Sequence, residues 1–394
     1  MQRLNKIFGI KPYLSVLLIS LVLGLCGGII GAVFFHLFTA VTSLRTVHPW
    51  LVFLLPLGGL LTVKIYKLLK TEGLSTDSVL KSLKGDRKVS PLLLPAVFLS
   101  SLLTHLFGGS AGKEGAALQM GGAVSSLLSK KLNLDEDTSE IGTVCGMSAF
   151  FSALFGTPFG ASVFATEVVF IKKKSYKWLI PSLISGYTAY FSAVLLGTHP
   201  ERFAMELPTL SFPLLWKTGI IILVCSAVCI LFVFTLEKTK EIFGICFKNP
   251  YLRIAVGGIL IILLTVIEGS GNYNGGGMNI VEKVFSQNAV KYEAFLLKII
   301  FTAVTVAAGF KGGEIVPTFF IGATSGGALA LLLGVPVPFG GALGMAVLFS
   351  GATNCPLATM LLCGEMFGFK GILYFALASV IARLLTTKNR LYNA

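Results

Sequence analysis

Charge is scarce in this chain. Charged residues are 13% of its 394 residues, against about a quarter in a soluble domain. With 54% hydrophobic residues and a mean hydropathy of +0.83, this excludes a disordered chain and an ordinary soluble enzyme. No long polar segment interrupts the apolar runs, so neither a soluble domain nor a regulatory tail is expected. None of the seven cysteines forms a CxxC pair. Most lie in apolar segments and read as small buried hydrophobes, which excludes a disulfide scaffold and a thiolate metal site. HExxH, Walker and Rossmann signatures are absent, and no metal or cofactor is expected. Basic residues exceed acidic ones, 32 − 18 = +14. No basic patch is interleaved with aromatics, so nucleic acid is not a partner. The excess sits instead in Lys81–Lys88, Lys172–Lys177 and Lys388–Arg390, and at Arg3, Lys6 and Lys11. That pattern marks cytoplasmic loops and puts both termini on the cytoplasmic side.

Long apolar runs, by contrast, are abundant. A membrane span needs about 20 apolar residues. Runs at 14–43, 50–69, 90–107, 177–196, 217–236, 253–267, 291–309, 340–363 and 371–386 qualify. The run after the basic N-terminus is too long for a secretory signal and reads as a first span. Four further stretches, 115–129, 143–155, 157–171 and 315–333, are too short or too glycine-broken to cross alone. Such pieces are the signature of discontinuous helices in transporters. Glycine totals 44, which calls for close backbone approach. The expected fold is an all-α polytopic membrane protein. A short N-terminus (1–13) precedes a first membrane half (14–205), a second (206–387) and a C-terminal segment (388–394).

The two halves repeat one another. Gly146-Met147 is followed by Pro158 and Glu167; Gly344-Met345 is followed by Pro356 and Glu365. The offset is 344 − 146 = 198. Upstream of each copy lies a glycine-rich segment with one acid, Gly108–Gly115 with Glu114 and Gly309–Pro317 with Glu314. Three markers at nearly one offset indicate a duplicated architecture.

An acid in apolar sequence is costly and therefore a functional candidate. Glu114 stands among glycines at an expected helix start. Bare backbone N–H groups and the helix dipole there attract anions. An ionised Glu114 can fill an anion's place and a protonated one can vacate it, which couples an anion to a proton. Glu314 heads the second opening, before Pro317 in a first-turn position. Glu167 and Glu365, at the ends of their apolar stretches, read as interfacial or capping acids. A different class is raised by Gly108-Gly109-Ser110-Ala111-Gly112, which matches the G-x-S-x-G nucleophile pattern. A serine hydrolase needs a histidine base, and only His36, His48, His105 and His199 exist. His105 is the nearest in sequence.

These residues together resemble the CLC family of chloride channels and anion/proton antiporters. Gly112-Lys113-Glu114-Gly115 resembles the GREGP-type motif, and Gly313-Glu314-Ile315-Val316-Pro317 the GxFxP motif. Gly73–Thr76 stands in the place of GSGIP, and Leu391-Tyr392 resembles the inner-gate tyrosine segment. The resemblance implies a homodimer of inverted halves, built from tilted and re-entrant helices in the lipid bilayer of a bacterial inner membrane. It implies Glu114 as the proton-coupled gate. Anions would be held by Gly112, Lys113, Gly115, Gly313, Glu314, Ile315 and Val316, with Ser75 and Tyr392 on the inner side. Ala116 in place of proline, Glu314 in place of an apolar residue and Val168 in place of the internal proton glutamate resemble the bacterial fluoride/proton antiporter branch. Leu74 or Ser75 at the inner central position, and Val316, depart from that branch. A chloride/proton exchanger or chloride channel is the alternative. Fluoride suits a site with two acids, because a protonated carboxyl donates a hydrogen bond to it and an ionised one repels it.

Overall fold

The computed structural model describes residues 12–83, 89–169, 176–387 and 391–392. Arg3, Lys6, Lys11 and most of the basic segments 84–88, 172–175 and 388–390 lie outside the described residues.

Sixteen α-helices carry the fold among the described residues, and no strand does. The longest are α1 (Pro12–Val47) and α9 (Phe212–Cys246), of 36 and 35 residues. At about 1.5 Å per residue each is roughly 50 Å long, against a hydrocarbon core of ~30 Å, so both must tilt steeply. Helix α10 (Pro250–Glu268), the continuous helical stretch Pro49–Leu68 and, against expectation, Ile315–Leu333 are also long and apolar enough to cross. These helices present leucines, isoleucines and phenylalanines outward, among them Leu25, Ile29, Leu57, Leu223, Phe234 and Leu263. So large an apolar surface is stable only in lipid. The chain is a multi-pass membrane protein.

Inside this rim lie two helix triplets. The first is α5 (Glu114–Leu132), α6 (Glu136–Phe155) and α7 (Pro158–Glu167). The second is α13 (Ile315–Leu333), α14 (Val337–Thr353) and α15 (Pro356–Phe367). Helices α7 and α15 have 10 and 12 residues. At ~15–18 Å they stop well short of a crossing and are re-entrant. The continuous span expected at 340–363 is in fact broken. Asn354 takes a left-handed conformation (φ 59°) and Pro356 opens the next helix, as Gly156 (φ 73°) and Pro158 do in the first half. The turn is too short to interrupt the apolar composition.

Glycine brings the triplets' helices into backbone contact. A Cβ on Gly121 of α5 would lie 2.3 Å from the Gly146 carbonyl oxygen of α6. One on Gly344 of α14 would lie 2.0 Å from the Gly322 carbonyl oxygen of α13.

Reciprocal contacts reveal the pseudo-twofold relation. The Glu365 carboxylate accepts from the Phe159 and Gly160 N–H groups at 3.1 and 2.7 Å. The Glu167 carboxylate accepts from Leu357 and Ala358 at 3.2 and 2.7 Å. Each acid thus closes the N-terminus of the opposite half's re-entrant helix, where the dipole favours a negative charge. The capping reading of these acids holds, with the partner in the other half. The same reciprocity links Ser110 N–H to Thr305 Oγ1 (3.0 Å) and Lys311 N–H to Thr104 Oγ1 (3.2 Å). This is the inverted repeat.

A hydrogen bond to a charged group contributes about 1.5–3 kcal/mol. Glu365→Ala and Glu167→Ala should each destabilise the protein by ~2 kcal/mol, and the double variant by about the sum, because the two sites cap different helix ends. Thermal unfolding in detergent checks this. An unchanged midpoint in both single variants contradicts it.

Candidate functional site

The two glycine-rich segments meet on the twofold axis. Gly112 N–H donates to the Gly313 carbonyl, and Gly313 N–H donates to the Gly112 carbonyl, both at 2.7 Å. A Cβ on Gly313 would lie 2.2 Å from the Gly115 nitrogen, so only hydrogen fits between the two segments. This bridge sets the N-termini of α5 and α13 side by side. First-turn N–H groups of a helix lack intrahelical acceptors. Those of Glu114, Gly115 and Ala116, and of Ile315 and Val316, therefore face one small region. Pro317 has no N–H to add. Ile315 and Val316 are buried there, 0% and 2% exposed.

Glu114 is the first residue of α5 and fully buried. Neither carboxylate oxygen has a hydrogen-bond partner among the described residues. The side chain curls back over its own helix start: a Cβ on Gly112 would lie 2.7 Å from Glu114 Oε2. A buried carboxylate with no partner is costly unless it titrates or moves.

The bridge fixes which residues correspond between halves. Gly112 pairs with Gly313, so the local offset is 201, and Glu114 corresponds to Ile315. Glu314 corresponds to Lys113, and both precede their helices with similar backbone angles (φ −84°, ψ −19° and φ −88°, ψ −10°). The two acids, 200 apart in sequence, are thus one position out of register. Glu114 turns into the centre, while Glu314 reaches aside to Lys240 of α9 at 3.5 Å, half-shielded from solvent. Lys113 pairs with Glu201 at 3.3 Å.

Tyr392 is brought back into the core. Leu391 N–H donates to the Ala352 carbonyl at 2.8 Å, and the Tyr392 side chain is buried with its hydroxyl unpartnered among the described residues. Ser75 precedes the short helix α3 (Thr76–Ser82) and is exposed. The next residue, Thr76, is the buried one; its hydroxyl donates to the Gly115 carbonyl at 3.5 Å and accepts from Gln119 Nε2 at 3.3 Å.

The G-x-S-x-G match has a structural explanation. Ser110 Oγ shares a hydrogen bond with Thr302 Oγ1 at 3.1 Å, buried between the halves. The two ring nitrogens of His105 lie 2.7 and 2.8 Å from the Ser101 and Ala111 carbonyl oxygens, and the protonated one donates to its carbonyl. It supports the glycine-rich segment and does not reach the serine as a base. Glu201, Lys240 and Thr76 were not singled out in the sequence. They sit in ordinary-looking polar stretches, and only folding sets them against the glycine-rich segments.

A family model described as voltage gated chloride channel matches residues 58–387. The chain belongs to the CLC family. It is accordingly a membrane transport protein and not an enzyme. A chloride/fluoride channel protein from Pseudomonas syringae pv. tomato is 30% identical, covering 97% of this chain and 87% of the relative. Among solved structures, a CLC-type fluoride/proton antiporter superposes with a TM-score of 0.92 at 31% identity, covering 98% of both chains. A slow cyanobacterial Cl−/H+ antiporter superposes at 0.79 and 20% identity over 96% of both, which supports the fold alone.

Proposed function

We propose that this CLC protein is a fluoride/proton antiporter that exports fluoride at the expense of an inward proton gradient, with Glu114 as the gate. One observation carries the reading: a fully buried, unpartnered carboxylate at the junction of two helix N-termini. Ionised, the Glu114 carboxylate is drawn to the bare first-turn N–H groups and fills the anion's place. Protonated, it loses that attraction, swings away and leaves the N–H groups to an anion. Anion and proton therefore alternate at one point. Gly112, Lys113, Gly115, Gly313, Ile315 and Val316 surround that point. Glu314, Tyr392 and Ser75 belong to the inner approach.

Fluoride is favoured over chloride on two grounds. The antiporter named for fluoride shares 31% identity along nearly the whole chain. Ala116, Glu314 and Val168 also resemble that branch, while Val316 and the inner central Leu74 or Ser75 depart from it. The protein then works as a homodimer with one pore per subunit, in a bacterial inner membrane. The test is efflux from proteoliposomes followed with fluoride- and chloride-selective electrodes. Fluoride efflux is expected to exceed chloride efflux at least ~10-fold; equal rates or a chloride preference would move the protein to the exchanger branch.

Tyr392 gives a second check. A hydroxyl donated to a bound anion contributes about 1.5–3 kcal/mol. Tyr392→Phe is expected to weaken fluoride binding roughly tenfold or more by titration calorimetry, with folding intact. Affinity equal to wild type would reduce the tyrosine to packing.

A further inference from the structure

Lys113 and Glu314 hold equivalent places in the two halves, and each carries one ion pair with the charges reversed. On one side a lysine at the helix start is matched by Glu201; on the other a glutamate is matched by Lys240. The lysine side borders a vestibule of about 980 Å³. Gly112 and Val316 are among its lining residues, so it reaches both helix N-termini. Lys113, Glu201, Arg45 and Glu282 supply its charged walls.

We propose that the Lys113 ammonium is a separate outer subsite for a small monovalent anion, occupied at rest by the Glu201 carboxylate, which a departing anion must displace. This rests on the antiport reading above.

Geometry supports it. The Lys113 side chain is 7% exposed and that of Glu201 19%. Rings of Phe35 and Phe38 lie 4.8 and 5.8 Å from the ammonium nitrogen. They fix its position without spending its donors on oxygen. An ammonium has three N–H donors, and Glu201 is its one hydrogen-bond acceptor among the described residues. The remaining donors are available to an anion. The unpartnered Glu114 carboxylate starts the next residue along, so an anion leaving the centre passes this cation first.

A bare cation here would retain the anion and slow its release. Conduction requires binding that is favourable enough to enter and weak enough to leave. A resident carboxylate meets that need: the anion gains Lys113 only as Glu201 is released into the vestibule, and the net exchange is small. Glu201 is thus a positioning residue that tunes release and does not itself carry the transported proton.

The test uses the full chain in liposomes. Fluoride efflux is measured against rising fluoride on the receiving side, for wild type and Glu201→Gln. Losing a partly buried ion pair should lower the half-inhibiting concentration about fivefold, with the proton-to-anion ratio unchanged. A Glu201→Gln variant inhibited at the wild-type concentration overturns the proposal. If Glu201→Gln fails to give a monodisperse protein, Glu201→Asp carries the test. Its shorter carboxylate should shift inhibition in the same direction by a smaller factor, and no shift overturns the proposal. The assay is run with whichever anion the wild type carries. A chloride-carrying wild type would therefore sink the fluoride reading and leave this one standing or falling on its own result.

Discussion

Glu114→Gln is expected to abolish proton movement and to reduce fluoride transport by at least ~100-fold. The amide has almost the shape of the protonated acid but cannot release or accept the transported proton. Glu114 is fully buried at the junction of α5 and α13, with no hydrogen-bond partner for either carboxylate oxygen among the described residues. Its removal should therefore leave folding nearly untouched, and an amide in its place has no buried charge to desolvate. Under the antiport proposal the carboxyl also accompanies the anion's proton, so fluoride flux falls with proton flux. Paired recording of fluoride efflux and pH from the same vesicles checks this. Passive fluoride or chloride leak without proton movement would keep Glu114 as gate but assign a chloride-type mechanism.

Gly313→Ala should damage transport severely, although it adds only one methyl group. The added Cβ would meet the Gly115 nitrogen at 2.2 Å and its Cα at 2.7 Å. Both are backbone atoms in the first turn of α5, which the paired 2.7 Å bonds between Gly112 and Gly313 set against the second segment, so neither can give way cheaply. Overpacking of a rigid contact costs about 1–3 kcal/mol or more. Here it also spreads the helix N-termini, and a misplacement of ~1 Å in such a site can cost about 100-fold in rate. Transport is expected to be lost before the fold is. Gly219→Ala in α9 is the control, because its Cβ meets nothing within 4 Å. It should be neutral or stabilising by up to ~1 kcal/mol, since alanine favours a helix more than glycine does. Equal flux from Gly313→Ala and Gly219→Ala would show that the bridge does not set the site.

Much of this architecture was legible in the residues, because lipid imposes strict rules on composition. The apolar runs, the glycine-broken short stretches and the repeat of Gly-Met, Pro and Glu at an offset of 198 all pointed to a duplicated transport fold. The break at Asn354–Pro356 was missed even though its counterpart at Gly156–Pro158 was in view. A turn of two residues hardly alters hydropathy, and Asn354 supplies the left-handed conformation without a glycine to mark it. Glu167 and Glu365 were recognisable as capping acids, yet their partners could not be named from sequence. Each caps a helix about 190–205 residues away, and only the twofold arrangement joins them. The near-equal spacing of Glu114 and Glu314 suggested two like acids. The bridge shifts them by one position, so that one turns into the centre and the other to Lys240. Spacing in sequence does not resolve a single step at a helix start, where one residue rotates a side chain by about 100°. The inward return of Tyr392 followed from the family resemblance alone, since a polar run near a chain end ordinarily frays.

The exchange of a proton for an anion at Glu114 is tested most directly by asking whether one gradient drives the other uphill. Wild-type vesicles loaded with fluoride, with no initial pH difference and the membrane potential clamped, are placed in fluoride-free solution. The expected result is proton uptake that begins with fluoride efflux, stops when the fluoride gradient is spent, and is absent with Glu114→Gln. Fluoride efflux from wild type with no accompanying proton uptake, or proton uptake that persists in Glu114→Gln, would contradict the account.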